Sequence, residues 1–303
     1  MTDSTTHCSL PGIRRLLLAT DGSQYSEGAV RESISLARQC SATLYAISVI
    51  EVLADYEGLS TLRFEEMQEA EAGERLEAVK DAASREGVTC EIIVAHGYPH
   101  VGIVEEARRA RADLIVVGRG GLKGVEKALM GTVAARVIGD APCNVLVVPK
   151  AAKIERRTVL VATDGSAHSN AAVSVAIELA KLRGGRLIAL SALRDESERT
   201  AAQEHVNKVV EQGTKEGVAV EPLTPLGRSY DAIVETAGGR GADLIVMGAY
   251  GRTGLKKFFM GSSTERVIGR AGCAVLVVKA KNIDAIAFFG SKESEPSAFD
   301  VPL

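Results

Sequence analysis

The chain has 303 residues, and its 36 Lys+Arg against 39 Asp+Glu leave a formal net charge of −3. That balance argues against a general nucleic-acid binder, which needs a basic surplus to displace counterions from phosphates. Hydrophobic residues at 46% and charged residues at 25% fit a globular chain of about two domains rather than a disordered one. Aromatics at 4%, with no Trp, leave few platforms for stacking single-stranded bases. No apolar run nears the ~20 residues of a membrane span. The polar start MTDSTTHCSL lacks a basic-then-apolar export pattern, so a cytoplasmic protein is expected.

In chain order, continuous β-branched runs predict buried strands at Leu16–Ala19, Thr43–Val49, Cys90–Ala95, Leu114–Val117 and Val145–Val148. Amphipathic stretches over 26–40, 64–86, 98–111 and 131–140 predict helices between them. Residues 112–148 then align without gaps on 242–278, with 21 of 37 positions identical, and LLLATDGS at 16–23 returns as VLVATDGS at 159–166. The two offsets, 143 and 130 residues, put 13 extra residues in the first copy, near 51–70. The second copy repeats the element order, its third strand (219–226) weakened by Pro222 and Pro225. The prediction is α/β: two tandem doubly wound domains, each a five-stranded parallel sheet with helices on both faces. The expected boundaries are 12–150 and 156–280, joined by the basic stretch Pro149 to Arg157, with a loosely ordered Ser/Glu-rich tail at 281–303. Ligands of such sheets are expected at the carboxyl ends of the strands.

After its fourth strand each copy carries G-x2-G-x9-G-(S/T): Gly118, Gly121, Gly131 and Thr132 in the first, Gly248, Gly251, Gly261 and Ser262 in the second. Strand-end glycines admit close backbone approach and left-handed conformations. A Gly-Thr or Gly-Ser opening a helix offers unpaired N–H groups, a hydroxyl and the positive end of a dipole, which suits phosphate.

With the strand-end Ala-Thr-Asp-Gly-Ser of each copy (Ala19 to Ser23, Ala162 to Ser166), these elements resemble the universal stress protein family, and the chain resembles a tandem member over about 12–280. The resemblance implies an ATP site in each half, with AMP or ADP as alternatives and magnesium as a companion of the phosphates. Carried over, Asp21 and Val49, with Ala19 and Thr20 beside them, address adenine and ribose in the first copy. Val117 packs on the base there, and Gly118, Gly121, Gly131, Thr132 and Val133 hold ribose and phosphates. In the second copy the same roles fall to Ala162, Thr163, Asp164, Ala192, Met247, Gly248, Gly251, Gly261, Ser262, Ser263 and Thr264. Its helix start offers three hydroxyls where the first copy has Val133-Ala134, so the second is the fuller site. The family's pairing through the last strand implies an intrachain pseudo-dimer of Val145–Val148 with Val275–Val278, open to further homodimerisation and to an unknown protein partner.

Other readings of single residues stand beside these. Asp21 and Asp164 could cap the first helix of each copy. Arg119 and Lys123 could neutralise phosphate or lie solvated. The aligned Cys143 and Cys273 read as small buried apolar residues. Cys8, Cys40 and Cys90 show no counterpart and no visible partner. His96 and His100 lack the acidic or Cys neighbours of a metal site. No G-x4-G-K-(S/T) occurs, and no nucleophile–base set repeats in both copies. The leading expectation is a stress-response protein that binds ATP and passes occupancy to oligomeric state or a partner, rather than an enzyme. The alternatives are a slow ATPase or phosphotransferase using Asp21 or Asp164 with magnesium, and a scaffold whose glycines are structural.

Overall fold

A computed structural model describes residues 12–51, 59–120, 130–155, 157–251 and 260–279. The first half runs β1 (Arg15–Ala19), α1 (Glu27–Cys40), β2 (Thr43–Ile50), α2 (Leu59–Arg85), β3 (Cys90–His96), α3 (Pro99–Arg109), β4 (Leu114–Gly118), α4 (Thr132–Asp140) and β5 (Asn144–Val148). The second runs β6 (Thr158–Ala162), α5 (Ala167–Arg183), β7 (Arg186–Leu190), α6 (Arg199–Lys215), β8 (Val220–Leu223), α7 (Ser229–Gly239), β9 (Leu244–Gly248), α8 (Ser262–Arg270) and β10 (Ala274–Val278). The helix expected over 64–86 begins earlier, at Leu59, so α2 has 27 residues against 17 in α6. The third strand of the second half is shorter than the expected 219–226: four residues, with Pro222 in an edge strand, where a missing donor costs no ladder bond. The predicted tail at 281–303 lies outside the described residues.

Within each half the strands are parallel in the order 3-2-1-4-5, and the two fives join as β3-β2-β1-β4-β5-β10-β9-β6-β7-β8. The seam is antiparallel, Val275 facing Val147, Leu276 facing Leu146 and Val277 facing Val145. Left open, two such apolar edges would be aggregation templates. Because the seam is antiparallel, the strands of the two halves point their carboxyl ends to opposite margins of the sheet.

Two core layers cover the faces. Leu16, Leu18, Val116 and Leu146 meet α1, α2, α5 and α6, while Leu17, Ile115, Val145 and Val147 meet α3, α4, α7 and α8. Strands apolar on both faces bury both sets: Leu16, Leu17 and Leu18 are all at 0% exposure. Each such side chain contributes about 1.5–3 kcal/mol. The linker after β5 lies along α1, where Arg31 donates to the carbonyls of Lys150 and Ala152, and Ile154 N donates to buried Glu32 at 3.2 Å. A Cβ at Gly28 would sit 2.4 Å from the Pro149 carbonyl, so only glycine lets the linker pass. Cys40 is disulfide-bonded, which the scattered cysteines did not reveal, whereas Cys90, Cys143 and Cys273 remain thiols.

Candidate functional site

At the end of β6, Thr163 is buried, and its hydroxyl bonds Ser169 Oγ at 3.2 Å and accepts Gly165 N at 3.2 Å. That fold-back needs Gly165 at φ +76°, in the left-handed region. Asp164 Oδ1 accepts Ser166 N at 3.1 Å in a two-residue Asx turn. The first half repeats the device: Thr20 Oγ1 donates to Ser26 Oγ at 2.9 Å, Gly22 (φ +71°) donates to Thr20, and Asp21 Oδ1 accepts Ser23 N at 3.0 Å. Neither aspartate caps a helix. The N-cap of α5 is Ser166, accepting Ser169 N, and that of α1 is Ser26, so the capping reading of Asp21 and Asp164 is corrected.

Each loop is also pinned from behind. A Cβ on Gly165 would lie 2.5 Å from the His205 ring, and one on Gly22 would lie 2.2 Å from Arg75 Cδ. His205 and Arg75 occupy equivalent places on α6 and α2, 130 residues apart, and His205 Nδ1 meets Ser191 Oγ at 3.3 Å. The sequence reading missed both, since Arg and His at aligned positions repeat no residue type.

The opposite wall is the glycine element. Gly261 N donates to Ala249 O at 2.9 Å and Gly131 N to Arg119 O at 3.0 Å, which close each loop against its helix start. Gly131 and Gly261 are the N-caps of α4 and α8, extended at φ −61° and −67°, with no side chain bonding the first turn. The first N–H groups of both helices therefore lack an intrahelical partner. The left-handed backbone expected at the motif glycines does not occur at Gly131 or Gly261. Gly118 and Gly248 also answer a steric need of the fold itself. A Cβ on them would meet Tyr25 O at 2.5 Å and His168 O at 2.8 Å, so they let the strand end pass under the start of α1 or α5. A Cβ on Gly251 would lie 2.9 Å from Asp164 Oδ2, which joins the two walls.

In the second half these pieces enclose one crevice at the carboxyl ends of the strands. It collects all eleven expected residues, Ala162, Thr163, Asp164, Ala192, Met247, Gly248, Gly251, Gly261, Ser262, Ser263 and Thr264. Ser169, Leu190, Ser229, Ile233 and Tyr250 complete its lining and were not anticipated. Of the three hydroxyls expected to face a phosphate, two are engaged. Thr264 Oγ1 donates to Gly248 O at 3.1 Å, and Ser263 Oγ bonds Ser229 Oγ at 2.9 Å, leaving Ser262 exposed. Among the described residues of the lining, Asp164 and Tyr250 are the titratable ones.

In the first half Ala19 lies opposite Val117 across the β1–β4 ladder and both are buried, Val49 packs against Gly102, and Asp21, Thr132 and Val133 are exposed. Gly121 and Lys123 lie outside the described residues. Arg119 is neither solvated nor turned to a phosphate: it donates to Ala271 O at the end of α8, 2.8 Å away, and burial pulls its pKa below the ordinary arginine value. Reciprocally, Lys279 Nζ holds the Ile138 and Gly139 carbonyls at the end of α4, at 2.6 and 2.7 Å. Each cradle helix is thus anchored at its far end by a cation of the other half, which suits the negative end of its dipole. His96 Nε2 faces Glu69 at 3.8 Å, and no group of three metal-ligating side chains occurs among the described residues. Burial holds the Cys273 thiol at a pKa of about 11, as expected of an apolar filler. No helix among the described residues is long and apolar enough to cross a membrane.

Fold and crevice together define a tandem, doubly wound α/β protein with a glycine-walled cleft at its strand ends. The universal stress protein family model matches residues 12–149 and again 155–279, and the chain belongs to that family. A universal stress protein of Methanocaldococcus jannaschii is 39% identical over 148 residues, 46% of this chain and 84% of that protein. One of Synechocystis is 30% identical over 151 residues, 45% of this chain and 98% of that protein. Among solved structures, a universal stress protein from Archaeoglobus fulgidus superimposes with a TM-score of 0.73 at 24% identity, covering 88% of this chain and 98% of that one.

Proposed function

We propose that the chain is an adenine-nucleotide-binding stress-response protein, taking ATP in the crevice of the second half and its counterpart in the first. Occupancy is passed to oligomeric state or a protein partner rather than spent in turnover. The observation that carries this reading is the convergence of an apolar floor (Ala162, Leu190, Ala192, Met247), a carboxylate (Asp164) and the uncapped start of α8 on one cleft. The floor suits a base, the carboxylate a ribose hydroxyl, and the orphan N–H groups a phosphate. Among the described residues Asp164 is the one carboxylate in the lining, so a magnesium ion would be held chiefly by nucleotide phosphates and water. Among the described residues of the lining no second carboxylate and no His or Lys joins Asp164, which is a poor hydrolytic set. Mass spectrometry of extracts from natively purified protein should find ATP, ADP or AMP, and calorimetry should count up to two sites per chain, the second half binding more tightly. Protein that carries and binds no adenine nucleotide would remove this reading.

A further inference from the structure

The ten-stranded sheet has two edges of opposite character. At β8 the edge is four residues long. There Ser191 N donates to Leu223 O, so the N–H positions of residues 220 and 222 face outward, and residue 222 is proline. Glu221 beside it is engaged by Arg186 and Arg240. An edge that is short, charged and missing a donor is blunted against pairing.

At β3 the edge is seven residues long. Leu44 N donates to Thr89 O and Gly97 N to Ile50 O, at 2.9 Å each, and between them β3 pairs with β2 in parallel register. The odd-numbered residues therefore bond inward, and the N–H and C=O groups of Cys90, Ile92, Val94 and His96 point away from β2. Ile92 aligns with Pro222, so the first half keeps open the donor that the second lacks. The strand has no Pro or Lys, and Ile92, Ile93, Val94 and Ala95 are all only partly buried. The helices that pack on β3, α2 and α3, carry exposed apolar side chains: Met67 on α2 (51% exposed), and Tyr98 (66%) and Val101 (40%) at the start of α3.

We propose that β3 is the docking edge for a second copy of this chain, pairing antiparallel about a two-fold axis at Ile93. In that register Ile92 faces Val94 of the second copy, Cys90 faces His96, and Glu91 faces Ala95, so no like charges oppose. Four residue pairs exchange two main-chain bonds each, about eight in all. Met67, Tyr98 and Val101 add apolar area on the two faces of the joint. The two-fold register sets Glu91 against Ala95 and β-branched Ile92 against Val94, so the strand is complementary to itself, as an isologous interface requires. The proposal is independent of nucleotide binding.

Ile92→Pro gives β3 the residue that β8 already carries, and it leaves the inward ladder intact. Sedimentation equilibrium of the full chain should find a dimer for the parent. For Ile92→Pro the dissociation constant should rise at least ~30-fold, from two lost bonds across the symmetric joint, with unchanged circular dichroism. Should the proline disturb folding, Met67→Glu with Tyr98→Glu alters only exposed side chains and should weaken the dimer likewise. Amide exchange at Ile92 and Val94 should slow with protein concentration. A parent that stays monomeric at about 100 μM, or a dimer indifferent to both variants, would overturn the proposal.

Discussion

Replacing Gly261 by valine tests the phosphate cradle without touching the core. Gly261 caps α8 at φ −67° and ψ 138°, an extended conformation open to any residue, so the substitution carries no left-handed strain. A Cβ there would first meet Ala249 O at 3.4 Å and Tyr250 Cα at 3.6 Å. The two methyls would extend into the crevice, over the first N–H groups of the helix. Exchanging a tolerated N-cap glycine for valine should cost about 1 kcal/mol, a fall in Tm of roughly 2–4 °C. Charge-assisted hydrogen bonds are worth about 1.5–3 kcal/mol each, so losing two should weaken binding roughly 10²- to 10⁴-fold. Calorimetry with ATP, in a background where Gly131→Val silences the first half, reads this directly, and thermal melts followed by circular dichroism report the fold. A folded Gly261→Val protein with unchanged affinity would refute the cradle assignment, and an unfolded one would make the glycine structural.

Gly248→Val should act on the fold instead, lowering the unfolding free energy read from urea melts by about 1–3 kcal/mol whether or not nucleotide is present, because its Cβ would press on His168 O at 2.8 Å. Thr264→Val should cost about 1–3 kcal/mol in the same assay by leaving Gly248 O without its 3.1 Å donor, and Thr264→Ser should restore most of it. The Cys273 thiol is raised from 9.0 to about 11 by burial. Its neutral form is therefore favoured in the fold, with a stabilising contribution complete below pH 9 that fades as pH rises toward 11. Iodoacetamide labelling of Cys273 in native protein should accordingly stay slow through pH 9, and fast labelling at pH 8 would contradict the burial argument.

The alternation of apolar strands and amphipathic helices, the duplication and the spacing of the glycines were all legible in the sequence. Each is a local or periodic signal that survives without coordinates: a strand covered on both faces must be apolar throughout, as Leu16 to Leu18 are. The eleven expected residues of the second crevice were legible for the same reason, since they stand at or just past strand ends or at a helix start, whereas Ile233, inside α7, carries no such mark. What each glycine does was not. That Gly118 and Gly248 also make room for Tyr25 O, just before α1, and His168 O, in α5, is a contact between elements far apart in the chain. Arg119 read as a loop cation, yet its partner, Ala271 O, is 152 residues away. His205 and Arg75 escaped notice because a side chain wedged behind a loop leaves no pattern in its own helix. Propensity and periodicity report what a segment does to its neighbours in sequence. Which carbonyl a guanidinium reaches, and which strand edge stays open, depends on how the two halves meet.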